Sequence, residues 1–161
     1  MNFGIKADTR ELERAMDAVT RESLRADHEV VMLNGRTLLR AIVYNTPRST
    51  GNGRAGWWPA WSGLGMAGTP GTPVAEGTHV LRKQQYTAAG TFTDRSRARP
   101  EAFVEFTNTS SVQRKGGKQF RYLFVSNARG KSADWMQKAA DEATFKFDRQ
   151  HARLLRKHSA R

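Results

Sequence analysis

Thr46-Pro47-Arg48-Ser49-Thr50-Gly51-Asn52-Gly53-Arg54-Ala55-Gly56-Trp57-Trp58 decides the fold, because it joins a long helical pattern to an aromatic segment through a polar corner. Pro47 cannot continue a helix and biases Thr46 away from helical geometry, so the preceding element ends here. Gly51 and Gly53 permit turns with positive φ, and Ser49 or Thr50 can bond local backbone amides. Nothing in the stretch sets a nucleophile beside a base, so it reads as a structural junction rather than an active site. Residues 54–61 beyond it read as a strand that lies at a sheet edge or ends at Trp58, since Pro59 follows. Alternation along such a strand puts Trp57 and Trp58 on opposite faces.

Upstream, Phe3, Ile5 and Ala7 alternate with polar neighbours as a short strand, and Asp8 with Glu11 forms a capping-box-like pair. Leu12, Met16, Val19, Ser23, Ala26, Val30, Leu33, Thr37, Ala41 and Tyr44 then recur every three or four residues, a single helical stripe. A helix of that length spans ~50 Å, more than a small domain needs for its own core. Asn34-Gly35 is the expected break. After it, Leu38, Leu39, Ile42 and Val43 widen the apolar surface, which predicts burial between a sheet and either a second helix or a neighbouring subunit.

Downstream, Trp57, Trp58 and Trp61 predict an aromatic anchor in the core or in a subunit interface, with base stacking as the alternative. Leu38, Leu39 and Ile42 join them as expected interface residues. Residues 62–78 are rich in Gly and Pro and read as an extended arm or mobile loop, the start of an inserted segment over residues 62–100. Residues 79–93 alternate weakly, as a projecting ribbon. Phe103, Val104 and Phe106 mark a strand, Phe120 to Val125 another, and Gly116-Gly117 predicts a hairpin between them with a basic tip. Ser132 starts the last helix, with Trp135, Met136, Ala139, Ala140, Ala143, Phe147 and Leu154 as its apolar stripe. The expected fold is α+β in a single domain over residues 1–161. It comprises a short N-terminal strand, a long helix, an antiparallel sheet of three to four strands, a C-terminal helix and a basic tail over residues 149–161.

The chain has 161 residues, about two-thirds of whose unfolded surface can be buried in one domain. No cysteine occurs, so thiol chemistry and disulfides are excluded. No leader-like apolar core and no membrane-length apolar run is present in the sequence, which predicts a soluble intracellular product. The net charge of +12 is uneven: residues 1–45 carry seven basic and seven acidic side chains, and the remainder twenty against eight. Arg95, Arg97 and Arg99 form one cluster, and Arg114, Lys115, Lys118 and Arg121 another. Arg149, Arg153, Arg156, Lys157 and Arg161 form a third. Such patches attract phosphates or acidic protein surfaces without specifying either, and a solvated basic face is the plainer reading.

The four histidines show no metal-ligand spacing. Asp17 with Arg21 and Arg25 with Glu29 read as ordinary i,i+4 ion pairs. Glu101 and Glu105 resemble a nuclease pair only weakly, lacking a third acid or a histidine nearby. These features point away from an enzyme and imply no cofactor and no metal.

The run Thr46-Pro47, Thr50-Gly51, Arg54-Ala55 and Trp57 resembles the TPxxTGxxRxxW-like pattern of the neck or tail-completion (head-tail joining) proteins of long-tailed siphophages. Phe103 to Asn108 looks like that family's strand ending in Thr-Asn, and Tyr122 to Ala140 like its approach to the last helix. Residues 62–100 are longer and richer in Gly and Pro than the resemblance leads one to expect. The resemblance implies a structural virion protein made in the host cytoplasm. Its copies form a ring of sixfold symmetry between the tail terminator protein and the head-side connector proteins, and DNA passes through the lumen. Arg95, Arg97, Arg99, Arg114, Lys115, Lys118 and Arg121 are then the expected DNA-facing cations, in non-specific contact. The alternative is a basic nucleic-acid-binding module.

Overall fold

A computed structural model of the chain describes residues 9–47, 51–71, 76–81, 83–99, 101–114, 117, 119–120 and 134–159. The expected N-terminal strand, the Asp8 cap, the Ser132 helix start and the stretch from Arg121 to Val125 lie outside these residues. Helix α1 (Thr9–Asn45) runs unbroken for 37 residues, about 55 Å at 1.5 Å per residue. It ends where the sequence says it must: the amide and hydroxyl of Thr46 both donate to the Ile42 carbonyl, at 2.8 and 2.7 Å, and Pro47 follows. The expected break at Asn34-Gly35 does not occur. Gly35 is buried, and a Cβ there would lie 2.8 Å from Cγ2 of Val104 and 3.2 Å from Cδ2 of Leu64. Its helix penalty is offset by the close approach it allows.

The segment expected as an aromatic strand is helical. Gly51, in the left-handed region at φ 72°, opens a single turn α2 (Asn52–Ala55), and α3 (Trp58–Gly63) follows directly. Pro59 sits in the first turn of α3, where a missing amide and a fixed φ favour a helix instead of ending a strand. Of the residues expected as a mobile arm, 62–71 continue this unit, and 72–75 lie outside the described residues. Leu64 and Met66 are buried, and the Nε1 of Trp61 donates to the Ala67 carbonyl at 3.1 Å. Gly71 returns to the corner so closely that a Cβ there would stand 2.8 Å from the amide nitrogen of Ala55.

Strands β1 (Gly77–Leu81), β2 (Gln84–Ala88), β3 (Gly90–Arg95), β4 (Phe103–Asn108), β5 (Ser111–Gln113) and β6 (Gln119–Phe120) are all antiparallel. They form a four-stranded sheet in the order β1-β2-β5-β6 and a two-stranded sheet β3-β4. The sequence expectation that the Phe103–Phe106 strand pairs across Gly116-Gly117 is corrected: β4 pairs with β3, Phe92 opposite Phe106, and the Arg114–Gly117 turn joins β5 to β6. The pairing of Gly90 with Asn108 and of Thr87 with Ser111 belongs to one register, so β2–β3 and β4–β5 are two legs of a single long ribbon. Between the two sheets the Thr109 amide still bonds the Ala89 carbonyl at 2.8 Å, while the Ala89 amide turns to the Ser110 hydroxyl, where the α2 corner docks.

Helix α4 (Trp135–Ser159) lies antiparallel against α1. Asn45 meets Glu142, Thr37 meets Gln150, Asn34 meets His151 and Glu29 meets Lys157. The late half of α1 is therefore sandwiched, with α4 on one side and α3 and β4 on the other. Of the two covers the widened apolar surface allowed, the chain's own second helix is present. The core joins Leu39, Ala41, Ile42 and Val43 of α1 to Trp57, Ala60, Leu64 and Met66 and to Trp135, Ala139 and Ala143 of α4. Phe92, Val104 and Phe106 close it from the ribbon. No helix among the described residues is long and apolar enough to cross a membrane.

Candidate functional site

Two constellations stand out, a lock at the corner and a basic groove at the far end of the ribbon. At the corner, Arg54 donates through Nη2 to the Tyr44 carbonyl at 2.8 Å and through Nε to the Thr46 carbonyl at 3.3 Å. The indole Nε1 of Trp57 donates to Oγ1 of Thr46 at 3.2 Å, and its ring meets Phe106 edge-on at 6.1 Å. Asn108 donates to the Gly53 carbonyl at 2.7 Å, and Asn52 to the Thr87 carbonyl at 3.2 Å. Gly56 and Gly90 let the backbones touch: a Cβ on Gly56 would overlap Oγ of Ser110, and one on Gly90 would overlap the Gly56 carbonyl. Thr46, Arg54, Trp57 and Asn108, which carry the sequence resemblance from two separate stretches, thus meet in one network that fixes the helical corner to the ribbon. Arg54, Trp57 and Asn108 each spend a side-chain donor on backbone or on a neighbouring side chain.

The expected interface residues divide by burial. Trp57, Leu39 and Ile42 are inside this chain's own core, Leu38 and Trp61 pack partly against it, and Trp58 is half-buried. Of the expected DNA-facing cations, Arg95, Arg97 and Arg99 are exposed together at the ribbon's end. Arg114 is exposed at the β5–β6 turn, on a different part of the sheet, while Lys115, Lys118 and Arg121 lie outside the described residues. Glu101 and Glu105 are both exposed, and no group of three metal-binding side chains occurs among the described residues.

The ribbon's end reaches the first half of α1 and forms a groove with it. One lobe, of about 540 Å³, has Leu24, Val30, Val31 and Ala98 in its floor and Asp27, Arg97 and Arg99 on its rim. The adjoining lobe, of about 410 Å³, is lined by Arg21, Leu24, Arg25, His28 and Arg97. Arg21 and Arg25 share one face of α1 by their i,i+4 spacing. Neither makes the ion pair expected of it: Arg21 donates to the Asp17 carbonyl, and Glu29 pairs with Lys157 of α4. Among the described residues, no carboxylate lies within ion-pair distance of Arg21, Arg25, Arg95, Arg97 or Arg99.

A polar chain centred on the buried Ser96 holds this groove together. Ser96, 1 % exposed, bonds Asp94 Oδ1 through its hydroxyl and, at 2.9 Å, through its amide; His28 Nδ1 lies 2.7 Å from the same hydroxyl. The serine has one proton and the carboxylate only accepts, so the hydroxyl donates to Asp94 and His28 Nδ1–H donates to the hydroxyl. This order gives Ser96 no base, so the trio is a strut, not a nucleophilic triad. The Ser96 hydroxyl and amide hold the Asp94 carboxyl below its ordinary value, with the charges of His28 and Arg97 adding to the effect. Sequence reasoning found Arg97 and Arg99 by charge but missed Arg21, Arg25 and His28, whose i,i+4 and i,i+7 spacing from Arg21 was the available signal.

No protein-family model matches this chain, no curated protein matches it, and no solved structure matches it.

Proposed function

We propose that the chain is a structural virion subunit whose copies form a ring at the head-tail junction, joining the tail terminator to the head-side connector around the DNA channel. The observation that carries this reading is the corner lock. The residues that resemble the tail-completion pattern, Thr46, Arg54, Trp57 and Asn108, are 62 positions apart at their extremes, yet Arg54 and Trp57 both bond Thr46 and Asn108 bonds the Gly53 carbonyl beside Arg54. Residues that share a structural task account for a short motif that has no reactive group. An exposed run of α1 suits the same role: Met16 is 63 % exposed, and every residue described by burial from Glu13 to Arg21 is exposed. A helix that outruns its own domain is a natural contact for the next copy. Mass spectrometry of tails separated from heads tests the reading directly. The chain is expected in the tail fraction at a fixed copy number, and its absence from both fractions contradicts the proposal.

A basic nucleic-acid-binding module acting as a monomer is the second reading, favoured by the twenty-to-eight excess of basic over acidic side chains after residue 45. Stoichiometry separates the two. A ring in the particle favours the first, and a monomer that binds nucleic acid tightly in isolation favours the second.

A further inference from the structure

We infer that the groove between α1 and the β3–β4 turn is a binding site for the phosphate backbone of duplex DNA, held by Arg21, Arg25 and Arg97. Three observations carry it. The cations come from two elements and converge on one concave lobe whose described lining contains no carboxylate. Among the described residues none of the three lies within ion-pair distance of a carboxylate, and all three are exposed. Their placement is fixed from below: the Asp94–Ser96–His28 strut ties the loop that carries Arg97 to the helix that carries Arg21 and Arg25.

Charge alone would serve an acidic protein as well as a nucleic acid, and the lining decides between them. Leu24 is the one aliphatic residue in the described lining of this lobe, and the three guanidinium forks around it match phosphate oxygens directly. No Phe, Tyr or Trp is in the described lining of the lobe, and its one ring, His28, is tied through Nδ1 to Ser96. Duplex backbone contact without base readout is what remains, and it carries no sequence preference. The inference rests on this face and not on ring formation. A chain that binds duplex through the groove but is absent from the particle would sink the ring reading and leave the site standing.

The test uses the full chain and a short fluorescent duplex, with anisotropy titrations from about 50 to 200 mM salt. A triple variant, Arg21→Gln with Arg25→Gln and Arg97→Gln, is compared with a control of equal charge loss on the outer face of α4, Lys138→Gln with Arg149→Gln and Arg153→Gln. The groove variant is expected to melt with the parent, because its three positions are exposed, and to flatten the slope of log affinity against log salt by roughly one unit per arginine. The control should keep the parent slope. Should the triple variant melt early, Arg97→Gln alone should remove about one unit. Equal slopes for parent and groove variant, or equal losses in both variants, overturn the site. So does tighter binding of a single strand than of the duplex, or displacement of the duplex by polyglutamate at matched charge, which would assign the groove to an acidic protein.

Discussion

Replacing Trp57 with alanine removes a ring that is 4 % exposed, sits against Phe106 and bonds Thr46, whereas Trp58 is only half-buried. The first truncation leaves a cavity and removes the indole donor to Thr46 Oγ1, and should cost ~3–5 kcal/mol; the second should cost roughly 1 kcal/mol. At 2–4 °C per kcal/mol the melting temperatures should separate by roughly 10 °C. Equal losses would mean that the helical corner is misplaced. At Asp94 the sign is fixed by the direction of its shift. A carboxyl held below its unfolded value by Ser96, His28 and Arg97 contributes stability above that value, and the contribution is lost as pH falls through the lower folded one. Asp94→Asn should therefore lower melting at neutral pH and converge on the parent below about pH 4, near the ordinary carboxylate range. Glu142, lowered by its bond to Lys146, adds to the same acid limb. A gap between Asp94→Asn and the parent that stays constant from neutral pH to pH 3 would show that the strut carries no titrating charge.

Between elements, the decisive contact is that of α1 with β4 at Gly35. Alanine is worth ~1 kcal/mol more than glycine inside a helix, yet a Cβ here meets the stiff Val104 side chain at 2.8 Å. Gly35→Ala should therefore destabilise the parent and stabilise a Val104→Ala background, a coupling that a double-mutant cycle of urea melts reads directly. Stabilisation in both backgrounds would place β4 elsewhere. The same contact explains why the expected helix break was misread: glycine was taken for a weakness when its role is to admit a neighbour distant in sequence. Helices α1 and α4 were legible because their stripes persist over many turns. The corner was not, since Pro59 and the glycines argue against a strand without announcing two short helices, although Trp57, Ala60, Trp61 and Leu64 already had the i, i+3, i+4, i+7 spacing. Strand partners were also hidden. Nothing local in Phe103–Asn108 tells whether its mate lies before or after it, and the continuous register with β3 is a long-range outcome.

For the molecule as a whole, charge and shape were only partly legible. The basic excess was plain in composition, and Arg97 and Arg99 stood out, but Arg21 and Arg25 were read as partners of Asp17 and Glu29. Which arginines are left unpaired is set by tertiary packing, because Lys157 of α4 takes Glu29. The assembled molecule has its core at the C-terminal half of α1, clamped by α4, the α2–α3 corner and the ribbon. The residues of α1 described as exposed between Glu13 and Arg21, and the arginine groove, lie away from that core. Substituting Met16 with Glu should accordingly leave the melting of the isolated chain within ~0.5 kcal/mol of the parent while blocking assembly, and an unaltered assembly would remove this helix from the subunit contact. The proposed role as a ring subunit is tested most directly by imaging intact particles that contain the chain, with its copies located and counted. The account predicts one closed ring at the head-proximal end of the tail, encircling the DNA. Absence of the chain from the particle, or its placement away from the head-tail junction, would contradict it.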